Sequence, residues 1–180
     1  MICLTAVTLA GTGITALTQQ RQTNSQPAVL QKFQAALKQY VDVRQKALSQ
    51  FQPLKPDADQ ATIASREKAM GEAIRTARTG AHPGEIFSKD VGPFFRTAVK
   101  ADFNRRSPKG KQLRLDELPH FRPVVNQTYP SSWPLQTFPP TLLAQLPQLP
   151  EELEYRFVDN SLILRDKQAN IVVDYLIDVM

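Results

Sequence analysis

Hydrophobic residues recur at helical spacing in the first half of the chain, and the first such segment begins after residue 26. Pro27 suits the first turn of a helix. Apolar residues then follow at steps of three, four and seven, while Gln, Lys and Arg fill the other face. The pattern predicts a helix that ends before Pro53 and Pro56. Its apolar stripe consists of Leu30, Phe33, Leu37, Tyr40, Val41, Leu48 and Phe51.

Two more helices are predicted between residues 57 and 106. The second begins at an N-cap, Asp57 or Asp59, and ends at Gly80. The third begins after Ser88, which is a suitable N-cap, and ends before residue 107. Pro93 lies about five residues past this cap, where it removes a backbone hydrogen bond, so we expect a bend there.

The middle of the chain is rich in proline. Of the 14 prolines, eight lie between Pro119 and Pro150. This spacing prevents a regular helix over most of the segment, apart from one short helical turn at 141–145. We therefore expect residues 107–150 to form an irregular strap over the helices. Its aromatic side chains Tyr129, Trp133 and Phe138 are candidates to hold it in place by burial.

Residues 151–180 alternate between apolar and polar side chains and predict three short strands. Asp159 and Asn160 fit a two-residue hairpin turn, and a second turn begins at Asp166. We assign these residues structural roles. Asp174 interrupts an apolar strand, and we expect it to form an ion pair with Arg156 or Arg165 on a neighbouring strand; a contact with a partner is the alternative.

The elements together predict an α+β fold in one domain, residues 27–180. Its parts are a helical unit at 27–106, the strap at 107–150 and an antiparallel β-meander at 151–180. Before it come residues 1–18 and a polar segment at 19–26, which we expect to be a flexible linker.

Residues 1–18 contain no charged side chain and are typical of an export signal, although no basic residue precedes the apolar run. As a helix the run would span roughly 27 Å, near the minimum for a bilayer. We predict an exported protein, periplasmic or secreted. An uncleaved anchor in the inner membrane and an ordinary buried helix are the alternatives. The single cysteine, Cys3, leaves with a cleaved signal, which would exclude disulfides and thiolate chemistry.

The last fifty residues resemble the tail of uncharacterised bacterial exported proteins. Those proteins combine a Pro-Leu and Pro-Pro strap, a Leu-Pro repeat, a Tyr-Arg-Phe-Val strand and a closing hairpin. The resemblance implies an exported protein and carries no known activity. The matching positions are Pro134-Leu135, Pro139-Pro140, Leu142-Leu143, Leu146-Pro147, Leu149-Pro150, Leu153, Tyr155-Arg156-Phe157-Val158, Leu162, Leu164, Asp166, Ala169-Asn170 and Val173-Asp174.

The chain carries a formal net charge of +5, and its cations are concentrated where the third helix meets the strap. The cluster could be a solvated helix end or a surface for an acidic envelope component or another envelope protein. The export signal argues against nucleic acid as a partner, and membrane contact is expected only if residues 1–18 stay attached. The predicted partner-binding residues are Arg105, Arg106, Lys109, Lys111 and Arg114, with Arg96 and Lys100 nearby.

No catalytic or metal-binding pattern is recognisable in the sequence. The two histidines, His82 and His120, are isolated, whereas a zinc site needs three or four ligands. We expect no cofactor and predict a non-enzymatic binding or envelope-associated protein. The alternative is a small periplasmic hydrolase or lyase, which would require His120, Asp166 or Asp174 to converge in a cleft.

Overall fold

The computed structural model describes residues 13–130, 132–133 and 136–180, without the side chains of 13–26, 113 and 114. The described chain has helices followed by a three-stranded antiparallel sheet, which confirms the α+β class. None of the described helices combines the length and apolarity needed to cross a bilayer. Of the predicted export signal at residues 1–18, residues 1–12 lie outside the described part of the structure.

Among the described residues, five helices precede three strands. The helices are α1 (Gly13–Leu48), α2 (Gln60–Ala77), α3 (Gly92–Asn104), α4 (Pro108–Asp116) and α5 (Pro140–Leu143). The strands are β1 (Leu153–Val158), β2 (Ser161–Asp166) and β3 (Ile171–Leu176). Helix α5 lies close to the short helical turn that was predicted at 141–145 within the strap.

The start of α1 differs from the prediction. Residues 19–26, expected to form a linker, lie within α1, and Pro27 lies inside the helix rather than in its first turn. The polarity of this segment suggested a linker, but Gln and Arg have good helix propensity.

The second helix begins after one of its two predicted N-caps, whereas the third begins later than predicted. Asp59 is the N-cap of α2, and its carboxylate accepts the backbone N–H of Thr62 at 2.7 Å. The third helix begins at Gly92, later than predicted, so Pro93 falls in its first turn. A proline there removes no intrahelical hydrogen bond, and the expected bend has no cause.

Helix α4 was not predicted, because residues 107–116 were assigned to the irregular strap. The Ser107 hydroxyl accepts the backbone N–H of Gly110 at 3.1 Å, as an N-terminal cap does. No proline follows Pro108 until Pro119, which leaves room for the nine-residue helix.

The meander forms with the predicted turns. The strand order is β1-β2-β3, and Val158 pairs with Ser161 across Asp159 and Asn160. Asp159 has a φ of 47°, in the left-handed region that Asp and Asn tolerate. Asn170 has a φ of 51° in the second turn.

Both faces of this sheet are covered, so every residue of β2 is buried. Helices α1, α2 and α3 pack on one face through a core that includes Phe33, Ile74 and Phe95. The first part of the strap covers the other face, where Tyr129 is buried and Trp133 packs against the same small cluster. The part after residue 136 packs on the first face, where Phe138, Leu142 and Leu146 join the core of the helices.

Candidate functional site

Asp174 lies on β3 and is fully buried, but it forms no ion pair with Arg156 or Arg165. Its carboxylate instead accepts the backbone N–H groups of Gly84 (2.9 Å), Ile86 (2.7 Å) and Phe87 (2.8 Å), and that of its own neighbour on β3. Burial raises the pKa of Asp174, and these hydrogen bonds oppose the shift. The predicted ion pair is wrong. Asp174 holds the loop between α2 and α3 against the sheet.

Asp166 ends β2 and anchors the sheet to α1. Arg44 Nε donates to its carboxylate at 2.6 Å, and the hydroxyl of Tyr40 donates at 2.8 Å. The other carboxylate oxygen accepts the backbone N–H groups of Gln168 and Ala169, which closes the turn. Asp166 therefore combines the turn role expected of it with a buried ion pair.

Arg156 and Arg165 are paired with Glu154 instead of with an aspartate. Each arginine lies 2.5 Å from one oxygen of this carboxylate. Burial raises the pKa of Glu154, but the bonds from both arginines outweigh burial and leave that pKa below its usual value. Arg165 also donates to the side-chain oxygen of Asn170 at 2.7 Å.

His120 lies on the surface next to the first hairpin turn. Its Nδ1 is 2.5 Å from Asp159 Oδ1, and both side chains are about half exposed. Asn160, the other turn residue, accepts the backbone N–H groups of Val179 and Met180. The three groups required for the hydrolase, His120, Asp166 and Asp174, thus contact different partners and do not converge.

The predicted basic residues gather at the corner between α3 and α4, which we call the basic corner: Arg105, Arg106, Lys109 and Lys111. Arg105 and Lys109 are exposed, and Lys109 has no hydrogen-bond or ion-pair partner within the described residues. Arg106 pairs with Asp102 at 2.8 Å, and Asp102 also accepts the hydroxyl of Thr141.

Three further contacts orient the basic corner without neutralising it. Lys111 donates to the side-chain oxygen of Asn104 at 3.2 Å and lies over the ring of Phe103. Arg105 donates to Gln145 at 3.4 Å, next to α5. Arg114 belongs to α4, but its side chain lies outside the described part of the structure. The corner therefore presents cations to solvent with one acid, Asp102, to offset them.

Two neighbouring cations lie along α3. Lys100 is exposed, and Arg96 donates to the backbone carbonyl of Ile177 at 3.2 Å. Arg96 therefore joins α3 to the end of the chain, whereas Lys100 extends the positive surface.

Sequence reasoning missed Arg44 and Arg78, the two buried cations of the helical unit. Arg78 donates to Glu85, to Asn126 and to the backbone carbonyl of Val173, and lies over the ring of Tyr40. A signal was present, because each arginine follows an apolar stripe residue at i+4: Arg44 follows Tyr40 and Arg78 follows Ile74. A cation that interrupts an apolar stripe needs a buried partner.

The described residues contain no group of three or more His, Cys, Asp or Glu side chains placed to hold a metal ion. Comparison of the chain with protein-family models, with curated proteins and with solved structures yields no match. The resemblance to exported bacterial proteins therefore stays a prediction.

Proposed function

We propose that this protein is an exported, non-enzymatic, envelope-associated protein that binds an anionic phospholipid surface through its basic corner. The observation that carries the proposal is the contrast within the corner itself. Arg105, Lys109 and Lys111 have no acidic partner within the described residues, whereas Arg106 is neutralised by Asp102. Cations without acids attract an anionic surface, and each contributes about 1 kcal/mol close to the headgroups.

The rest of the candidate chemistry supports binding rather than catalysis. Asp166 and Asp174 are buried and bonded to Arg44 and to backbone N–H groups, which leaves them no access to a substrate. His120 pairs with Asp159 at the surface, outside any shared cleft with the two buried acids. No observation favours the hydrolase alternative. Export itself depends on the predicted signal at residues 1–18. Unlike the membrane contact expected from the sequence, binding through the basic corner does not require that segment to stay attached.

The test is co-sedimentation of the protein with vesicles. Phosphatidylglycerol mixed with phosphatidylcholine provides the anionic surface, and pure phosphatidylcholine is the reference. We expect binding to the anionic vesicles that weakens as salt is raised, because exposed charges are screened. The variant Arg105→Gln/Lys109→Gln/Lys111→Gln is expected to lose about 3 kcal/mol of binding free energy, roughly a hundredfold in affinity.

A matched control removes three other exposed lysines, as Lys55→Gln/Lys89→Gln/Lys167→Gln. It lowers the net charge by the same amount and leaves the basic corner intact. Equal losses in the two triple variants would show that net charge alone is responsible. Equal binding to both kinds of vesicle would contradict the proposal. Fractionation of cells, with the mass of the recovered chain, tests export and cleavage separately.

A further inference from the structure

A second feature involves α5 and the residues on either side of it. A cleft with a volume of about 910 Å³ separates β1 from the segment 137–149, and we call it the β1 cleft. Its size is in the range of small-ligand sites. Apolar side chains dominate its lining, including Phe138, Leu143 and Leu149. Leu143 is 51% exposed.

The segment that encloses the cleft is fixed to β1 at both ends. The ring of Phe138 stacks on that of Phe157, with 5.0 Å between centroids, and the Pro150 carbonyl accepts the Leu153 N–H at 3.0 Å. The hydroxyl of Tyr155 donates to the carbonyl of Pro147. A ligand in the cleft must therefore be short, because the two contacts of the enclosing segment with β1 leave only about four residues of strand edge between them.

β1 is an edge strand of the sheet, and its residues Glu154, Tyr155 and Arg156 line this cleft. In an antiparallel pair, bonded and non-bonded residue pairs alternate. The two-residue turn makes Val158–Ser161 a bonded pair, so Tyr155, three residues back, belongs to a non-bonded pair with Leu164. Its N–H and C=O therefore point away from β2, and neither has a backbone partner within the described residues. Backbone groups in buried segments are nearly always paired, so this position favours a ligand with a backbone of its own.

The charge beside this position selects an acidic ligand. Glu154 and Arg156 both line the cleft, and Glu154 is shared by Arg156 and Arg165. Arg165 does not line the cleft, but with it the three side chains carry a net charge of +1, because the two guanidinium groups share one carboxylate. Arg156 also donates to the backbone carbonyl of Gln136, while its buried Nε has no hydrogen-bond partner within the described residues.

We propose that the β1 cleft binds a short extended peptide that pairs with Tyr155 and carries an acidic side chain opposite Arg156. In an antiparallel arrangement, the peptide residue opposite Tyr155 exchanges both backbone hydrogen bonds with it. Its apolar side chain lies on the side of Phe138 and Leu143. The preceding peptide residue lies opposite Arg156 and the following one opposite Glu154. This binding site is separate from the basic corner and does not depend on the proposed lipid binding.

Titration of the ¹⁵N-labelled full chain with acetyl-Asp-Val-Thr-Leu-amide tests the proposal. The backbone amide signal of Tyr155 is expected to shift saturably, and its hydrogen exchange is expected to slow. The same peptide with an N-methylated valine lacks the donor to the Tyr155 carbonyl, and we expect it to bind about tenfold more weakly. An unmoved Tyr155 amide, or equal affinity for the methylated peptide, would overturn the proposal.

Two comparisons separate the remaining contributions. Acetyl-Thr-Val-Asp-Leu-amide places its acid opposite Glu154 and is expected to bind about tenfold more weakly. The variant Leu143→Asp is expected to weaken binding by about the same factor, and Leu54→Asp, at another exposed leucine, is expected to leave it unchanged. Unchanged affinity in Leu143→Asp would also overturn the proposal. The triple variant of the basic corner is expected to retain peptide binding, so failure of the lipid proposal is distinguishable from failure of this one.

Discussion

Charged side chains in the sheet and at the basic corner have opposite surroundings. In the sheet, Asp166 and Asp174 are completely buried, and every oxygen of their carboxylates accepts a hydrogen bond. At the basic corner, Arg105 and Lys109 are exposed. Charges of the first kind stabilise the fold, since they cannot reach a partner outside it. Charges of the second kind are free to bind one.

The comparison gives an expected order of effects. Substitutions in the sheet should cost stability, and substitutions at the corner should cost binding while leaving stability almost unchanged. A buried charge that has lost its partner costs several kcal/mol, whereas an exposed charge contributes less than 1 kcal/mol.

The largest effect is expected for Asp166→Ala. It leaves the guanidinium of Arg44 buried without its main acceptor, and the backbone N–H groups of Gln168 and Ala169 without theirs. We expect a loss of about 3–5 kcal/mol in the free energy of unfolding, measured by urea denaturation. Asp57→Ala, at an exposed acid, is the control. A loss under about 1 kcal/mol would break the distinction between the two regions.

Asp174→Ala is expected to cost somewhat less, about 2–3 kcal/mol. The N–H groups of Gly84, Ile86 and Phe87 lose their acceptor, but no charged group is left buried without its partner, as Arg44 is in Asp166→Ala. Hydrogen exchange at these three amides is expected to accelerate more than exchange elsewhere in the chain. If their exchange stayed at the original rate, the role of Asp174 in holding the loop would be refuted.

Glu154→Gln adds a dependence on pH. The pKa of Glu154 is lowered in the folded protein, so its stabilising contribution is present above the unfolded value of about 4.3 and is lost as pH falls through the folded pKa. We expect the variant to be about 1–2 kcal/mol less stable near pH 7. The difference from the original protein should shrink in acid, as urea denaturation across the pH range would show. If the difference in stability between the two proteins grew in acid, the pKa of Glu154 would be raised by folding rather than lowered, which would contradict its pairing with the two arginines.

The smallest effect on stability is expected at the basic corner. The variant Arg105→Gln/Lys109→Gln/Lys111→Gln should change the free energy of unfolding by less than about 0.5 kcal/mol per substitution. The same preparation is used for the vesicle measurement, so stability and binding are compared directly. A large loss of stability would show that these cations stabilise the fold, as the buried charges of the sheet do.

The sheet was predictable from sequence because its signals are local. Alternating apolar positions mark β1, and Asp159 and Asn160 mark its turn, all within neighbouring residues. The partners of Asp174 were not predictable in this way, because the N–H groups that it accepts belong to residues 88 and 87 positions earlier in the chain. An acid within an apolar strand indicates a buried partner and does not say that the partner is backbone.

The residues of the basic corner were predicted from the sequence, but one of the two helices that carry them was not. The run of cations from Arg105 to Lys111 was visible in the sequence. Helix α4, which carries Lys109 and Lys111, was not, because Gly110 and the weak apolar pattern of its nine residues favour a loop. The β1 cleft was invisible, since it depends on how the segment 137–149 passes over an edge strand.

The bonds to Asp166 and Asp174 also bear on the order of events during synthesis. Arg44 emerges 122 residues before the acid that neutralises it, and Ile86 emerges 88 residues before the one that accepts its amide. Contacts between such distant segments form late and slow the folding of a chain. Nearly the whole polypeptide must therefore be synthesised before these helices can pack in their final positions on the sheet.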